Sequence, residues 1–460
     1  MHNFHSVDEE VLAALTAVVT PTNLSTAEAE RRLRAQDMSH YAPHLSEVVV
    51  WPTTAQQVAD VLRIANRHKI PVTPWGAGSS LEGNPIPLFG GILLAMERMN
   101  AVLAMHEDDF QVTVQPGLGY KDLNETLARY GLFFAPDPGA NASIGGMLAN
   151  NAAGSRTVKY GATKDNVLAM EVALADGRLI HLGSRSIKQS AGYDLLHLFV
   201  GSEGTLGVIT AATLKLMPVP TVMSSVLAAF PSVEAAVTAV IEIRGSGLDV
   251  AALEYIDAKT AAMITRLGAA EWGESPTLLM EIHATHAATA ELDLALIAEI
   301  CTALGATNFQ ATSDTAVRKK MWHARHHLFE TKVRAFPGYQ WLVMDIAVPI
   351  SAYPPLIAYV SETLQKQGVD GFMIGHAGDG NLHVELPYHQ GEIPPQVVAA
   401  NDAIVAQAIA LDGTCTGEHG VGIGKAKFME QEHGTAVEVM RTLKQTLDPQ
   451  GILNPGKIFV

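Results

Sequence analysis

Two histidines stand close together in the segment HAGDGNLH, at His376 and His383. The run GFMIG before them reads as a strand, Gly378-Asp379-Gly380-Asn381 as a turn, and LHVEL as the returning strand. The two imidazoles therefore flank one hairpin tip and can meet at a common point. Two neutral imidazoles plus a carboxylate form a divalent-metal set with an open position. Either histidine alone reads more simply as a partly buried residue satisfied by hydrogen bonds. A carboxylate is offered by TCTGEHGVGIGKAKF, where Glu418 and His419 share a glycine-rich bend. Glu418 would be the third ligand, leaving His419 free as a base. Read without the hairpin, the same bend is a mobile turn with an exposed Glu-His pair.

Three small-residue segments accompany this constellation. In PWGAGSSLEG, Gly76 and Gly78 let backbone N–H groups approach an anion, and Ser79 and Ser80 add hydroxyl donors. The loop lacks the GK[ST] ending of a Walker loop and the GxGxxG pattern opening a helix, so an NAD site loses its best support. The stretch 136–161, PDPGANASIGGMLANNAAGSRTVKYG, offers little apolar area of its own and makes sense against something large and flat. The third segment is GSEGTLGVIT.

The elements around them follow from pattern. DEEVLAALTAVV and STAEAERRLRAQD read as helices, the second capped by Ser25 with Glu28 completing a capping box. VVVW, IPVTPW, ILLAM and QVTVQPG read as strands, and Thr53/Thr54 cap a helix running to Arg67. A helix in KDLNETLARYG stops at Gly131, and Asp176-Gly177 turns a hairpin. Pro218 and Pro220 mark a boundary. Beyond it SSVLAAF, AALEYID and TLLMEIHA alternate with helical runs, the pattern of an antiparallel sheet with helices on one face. A last helix ends near Asp448-Pro449.

A chain of 460 residues, 48% hydrophobic and 17% charged, is large enough for two substantial domains. Its formal charge of -16 excludes a nucleic-acid role and opposes an anionic membrane surface. An anionic substrate then needs a locally positive site. Cys301 and Cys415 are the only cysteines, too few for a disulfide framework or an iron–sulfur cluster, and they suit a reducing cytoplasm. The start, MHNFHSVDEE, has no signal-peptide character, and no apolar run is long enough to span a bilayer. Peripheral contact with a membrane stays open.

Taken in order, the three small-residue segments resemble the flavin-binding half of the vanillyl-alcohol-oxidase/PCMH family. That resemblance implies α+β architecture: a two-subdomain PCMH-type FAD-binding domain over 1–220, an α+β substrate domain with an antiparallel sheet over 221–410, and a C-terminal segment, 411–460, returning to the flavin. It assigns Gly76, Gly78, Ser79 and Ser80 to the pyrophosphate, and Pro138, Ser143, Gly146, Asn150 and Gly154 to the second flavin segment. Glu203, Gly207 and Ile209 belong to the third, and Asn454 is the C-terminal flavin contact. No histidine lies in the 74–83 loop, so FAD is expected to be non-covalent. HAGDGNLH, GTCTGEHGVGIGK and LDPQGILNPGKIF further resemble the D-lactate/D-2-hydroxyglutarate/glycolate dehydrogenase branch, and within it the D-lactate dehydrogenase (cytochrome) group. The likeness runs from about Glu47 to the C-terminus and is weakest over 221–310.

In that branch His376, His383 and Glu418 would hold zinc or manganese, His419 would be the base, and Arg325 of WHAR would bind the substrate carboxylate. The implied substrate is a small anionic D-2-hydroxy acid, D-lactate first. The implied acceptor is a quinone, cytochrome or electron-transfer flavoprotein, and a homodimer is left open. Alternatives are a subunit of a glycolate-oxidase-like or electron-transfer-flavoprotein-linked complex, or a D-2-hydroxyglutarate dehydrogenase. Against the last, Val343 and Glu385 stand where a distal carboxylate would meet Lys and Asn, and Glu385 would repel it unless it turns toward the metal. Glu418 argues against the alkylglycerone-phosphate synthase group, which has a His there.

Overall fold

The computed structural model describes residues 3–459, which divide into two compact units. The first comprises residues up to Ala153, then Ala162–Val219 and Glu418 onward; the second comprises Gly154–Gly161 and Pro220–Gly417.

The first unit holds two main sheets. Val48–Val50, Ile92–Ala95 and Val72–Trp75 run parallel, with Leu24–Ser25 antiparallel at one edge. The helix Ala55–His68 covers them, burying Val58, Val61, Leu62 and Ala65 at helical spacing. Thr54 caps it, its side chain accepting from the Gln57 N–H at 3.2 Å. The capping box expected at Ser25 does not form. The short helix Glu28–Arg32 starts after Ala27 with no side-chain cap, while Ser25 Oγ accepts from the Ala27 N–H and Ser25 pairs with Val49 in the sheet. Sheet pairing takes Ser25 away from the helix end. The second sheet is antiparallel, in the order Val102–His106, Gln111–Val114, Val208–Lys215, Val167–Ala173, Leu179–Gly183. Asp176-Gly177 turns its last hairpin, Gly177 at φ 80°.

The second unit is built on seven antiparallel strands, in the order Asn308–Thr312, Val222–Ala229, Thr277–Ala284, Val250–Ile256, Phe372–Gly375, Asn381–His389, Tyr339–Ala347. Every residue of Val250–Ile256 and Thr277–Ala284 is buried. Strands buried at each position need cover on both faces. Helices accordingly pack on both rather than on one. Trp322 and Leu328, from Thr315–His326 and Leu328–Ala335, join Ile256, Leu279 and Ile374 in one core. Tyr353, which opens the helix Tyr353–Gln367, meets Tyr255 edge-on from the opposite face, their centroids 6.1 Å apart.

Candidate active site

The hairpin forms where the sequence places it. Phe372–Gly375 pairs with Asn381–His389 so that Ile374 faces His383 and Phe372 faces Glu385. His376 lies two residues beyond Ile374, so it emerges on the face that carries His383. The rings stand 5.4 Å apart between centroids and at right angles. Gly380 turns the tip at φ 78°, where a Cβ would collide with the Val348 carbonyl.

The segment leading to Glu418 is tied to the same hairpin. Ala347 bridges Thr414, Thr416 Oγ1 donates to Asp345 at 2.9 Å, and Asn381 Nδ2 donates to Asp345 at 2.6 Å. At Gly417 a Cβ would strike the side chains of Asn381 and Asp345, which would have to give way. Glu418 is one peptide bond further. Ligand atoms of His376, His383 and Glu418 all lie within 4.8 Å of one another. Two imidazoles and a carboxylate gathered this closely are a donor set that suits a divalent ion. His419 follows, its Nε2 3.9 Å from Glu418 Oε1.

Behind His376 stands Glu254, which sequence reasoning missed. Its Oε1 lies 2.6 Å from His376 Nδ1, and its Oε2 accepts from Arg325 Nε at 2.7 Å and pairs with Nη2 at 2.5 Å. A carboxylate on Nδ1–H fixes the tautomer that presents Nε2 as a ligand. Burial opposes ionisation of Glu254, but Arg325 and His376 outweigh it and draw its carboxyl down to about 2. Arg325 therefore reaches the neighbourhood of His376, engaged along one edge by Glu254.

Register places more charge on this face. Glu281 pairs with Ala252, two residues before Glu254. It accepts from Arg156 Nη2 at 3.1 Å and lies 2.7 Å from His283 Nε2, whose Nδ1 lies 2.7 Å from the Tyr160 hydroxyl. Burial pushes His283 down, so near neutral pH this contact is a neutral imidazole donating to a carboxylate. The expectation for Glu385 needs correction. Its carboxylate turns to Lys332, itself fully buried, rather than to the metal, so any second carboxylate would meet a charge pair and not a bare anion. The signal for Glu254, Glu281 and Glu385 was present, since each interrupts an apolar strand run; their pairing with Arg325, Arg156 and Lys332, on separate elements, was not.

The proposed flavin segments belong mainly to the first unit. A Cβ on Gly76 would collide with Ser143 Oγ, and Gly78 takes φ 68°. Ser79 and Ser80 are half-buried beside them. Ser143 caps the helix Ile144–Asn150, accepting from the Gly146 N–H at 3.3 Å, and the Pro138 carbonyl accepts from Tyr120 at 2.9 Å. Asn150 Nδ2 donates to the His419 carbonyl at 3.0 Å. Gly154 N–H donates to Thr157 at 3.0 Å within the second unit. Gly207 is required by packing, because a Cβ there would meet Val172 at 2.5 Å, and Ile209 is a core residue.

Glu203 is a hub: its carboxylate accepts from Asn84 at 2.7 Å, Val421 N–H at 2.6 Å and Gly422 N–H at 2.9 Å, anchoring the loop that carries His419. Asn454 Nδ2 donates to the Asn84 and Glu203 carbonyls, at 3.0 and 2.7 Å, while Asn454 Oδ1 and Asn84 Oδ1 are buried without a protein donor. Glycine-lined approach at one end and open buried acceptors at the other fit a long polar cofactor with N–H donors. Lys457, also missed, donates to the Ile86 carbonyl at 2.7 Å, and burial brings its ammonium down to about 8.

The family described as FAD binding domain matches residues 46–183, and FAD linked oxidases, C-terminal domain, matches 219–458. The chain is 37% identical over 457 residues to a probable mitochondrial D-lactate dehydrogenase of Danio rerio, covering 98% of this chain and 92% of that one. It is 36% identical to the mitochondrial D-lactate dehydrogenase [cytochrome] of Arabidopsis thaliana, covering 99% and 81%. Glycolate oxidase subunit GlcD of Bacillus subtilis is 33% identical, covering 98% and 97%. Among solved structures, p-cresol methylhydroxylase with substrate bound shares the fold with a TM-score of 0.79 at 16% identity, covering 98% of this chain and 96% of that one. Alkyldihydroxyacetonephosphate synthase does so with 0.78 at 19%, covering 98% and 87%. The C-terminal family match spans more than half of the residues, and the chain belongs to the FAD-linked oxidases.

Proposed function

We propose that this chain is an FAD-dependent dehydrogenase that oxidises D-lactate, or a similarly small D-2-hydroxy acid, to the 2-keto acid. The observation that carries the reading is the cluster of His376, His383 and Glu418 with His419 beside it, in a chain of D-lactate dehydrogenase likeness. When bound, FAD would supply a hydride acceptor, and a divalent ion, zinc or manganese, would supply the charge that makes the substrate hydroxyl more acidic.

The protein's own residues do the rest. His376, oriented by Glu254, joins His383 and Glu418 as the ligand set. Arg325 gives Glu254 its Nε and Nη2; the Nη1 donors are those we assign to the substrate carboxylate, whose pairing fixes orientation. His419 takes the hydroxyl proton. Its backbone carbonyl is held by Asn150, so the imidazole starts from a fixed point. Gly76, Gly78, Ser79, Ser80, Ser143, Gly146 and Asn454 are assigned to a non-covalent FAD. Both cysteines are buried, a usage that suits a reducing cytoplasm, and no described helix is long and apolar enough to cross a membrane.

The test is kcat/KM for the D-enantiomers of lactate, 2-hydroxybutyrate, malate and 2-hydroxyglutarate with an artificial acceptor. D-lactate and D-2-hydroxybutyrate should exceed the dicarboxylates by on the order of 100-fold. A faster D-malate or D-2-hydroxyglutarate would refute the monocarboxylate assignment. A second reading, a subunit of a larger redox complex, is favoured by the near full-length likeness to a glycolate oxidase subunit. Stoichiometric partners on native purification would support it.

A further inference from the structure

The proposed mechanism leaves the buried Lys332–Glu385 charge pair unused. Lys332, from the helix Leu328–Ala335, is fully buried, and Glu385 is 3% exposed. Their side chains form an ion pair, and the ammonium also lies 5.4 Å from the Phe372 ring centroid. Burying both ions costs desolvation that their attraction barely offsets, so apolar residues would stabilise this place as well or better. The pair's position is informative. Glu385 is two residues after His383 on one strand, so both side chains leave the same face about 7 Å apart. Its cross-strand neighbours are Phe372 and Val343, which bring no charge.

Resting on the function proposed above, we propose that the Lys332–Glu385 pair forms the wall that faces the substrate's side chain, and that it excludes 2-hydroxy acids with a second carboxylate. The ammonium on this wall is already neutralised. A second carboxylate would have to displace Glu385, leaving it buried without its partner, or lie desolvated against it. The methyl group of lactate makes neither demand. The single residue that closes the site to dicarboxylates is therefore Glu385, and the cation that would welcome them is present behind it.

The experiment compares selectivity ratios, which cancel changes in overall activity. In Glu385→Gln the ammonium loses its counter-charge at nearly constant volume. The kcat/KM ratio of D-malate or D-2-hydroxyglutarate over D-lactate should rise by about 30-fold or more, the scale of supplying a missing partner to a buried charge. An unpaired ammonium threatens folding, so a second variant is needed. Lys332→Met/Glu385→Leu replaces the pair by apolar side chains of similar volume, a change such sites tolerate. Its ratio of D-2-hydroxyhexanoate over D-lactate should rise by about 10-fold or more, as for an apolar wall gaining contacts with extra methylenes. Dicarboxylates should gain nothing there. If the folded, FAD-loaded variants keep the wild-type ratios, the pair does not face the substrate and the inference is overturned alone. If wild-type protein turns over no D-2-hydroxy acid, the functional reading fails and takes this inference with it.

Discussion

A ligand and a base differ in what their loss removes, and two histidines here allow the difference to be read. His383 is assigned to the ligand set and His419 to proton removal. His383→Ala deletes one of three ligands, so metal content by mass spectrometry should fall with activity while FAD stays bound. His419→Ala should lower kcat by roughly 100-fold or more, the usual scale for a positioned base, with metal content kept. A His419 variant that loses its metal would mean that Glu418 and His419 have exchanged roles. These residues were legible because each set is contiguous in the chain: His376 and His383 across one turn, Glu418 and His419 side by side. Glu254 and Lys332 were not. Glu254 meets His376 from a strand 122 residues away, and Lys332 meets Glu385 across 53. Such pairings exist only once the sheet has formed, and no local spacing announces them.

At the scale of elements, the seven-stranded sheet carries its chemistry on one face. Ser225, Glu281 and Ala252 align across three strands, and Glu254 lies two residues along from Ala252 on the same face. Burial opposes ionisation of Glu281, but His283 and Arg156 outweigh it and lower its carboxyl to about 2. A folded value below the unfolded one, about 4.3, contributes stability above pH ~4.3 that is lost as pH falls toward about 2. The contribution is on the order of 3 kcal/mol. Glu281→Gln should therefore melt well below the wild type at pH 7, and the gap should narrow as pH falls through this window. A gap unchanged at pH 3 contradicts the assignment. Strand order within this sheet was not readable from sequence, because most of its strands share one apolar character and strand pairing here is non-sequential. Period and turn chemistry did locate the hairpins at Asp176-Gly177 and Gly380. They misplaced Ser25, where a capping pattern competed with a sheet partner at Val49 and lost.

For the whole molecule, the reading joins a flavin to a metal-assisted proton abstraction. No histidine lies in the 74–83 loop, so denaturing acid should release the yellow colour into the supernatant. Flavin retained in the pellet would contradict the non-covalent assignment. The most direct test is anaerobic mixing of purified protein with one substrate at a time while flavin absorbance is followed. D-lactate should bleach the flavin in a single turnover, and L-lactate should not. Chelation should abolish the bleaching with FAD still bound, and zinc or manganese should restore it. Equal bleaching by both enantiomers, or full bleaching in protein shown to be metal-free, would contradict the account.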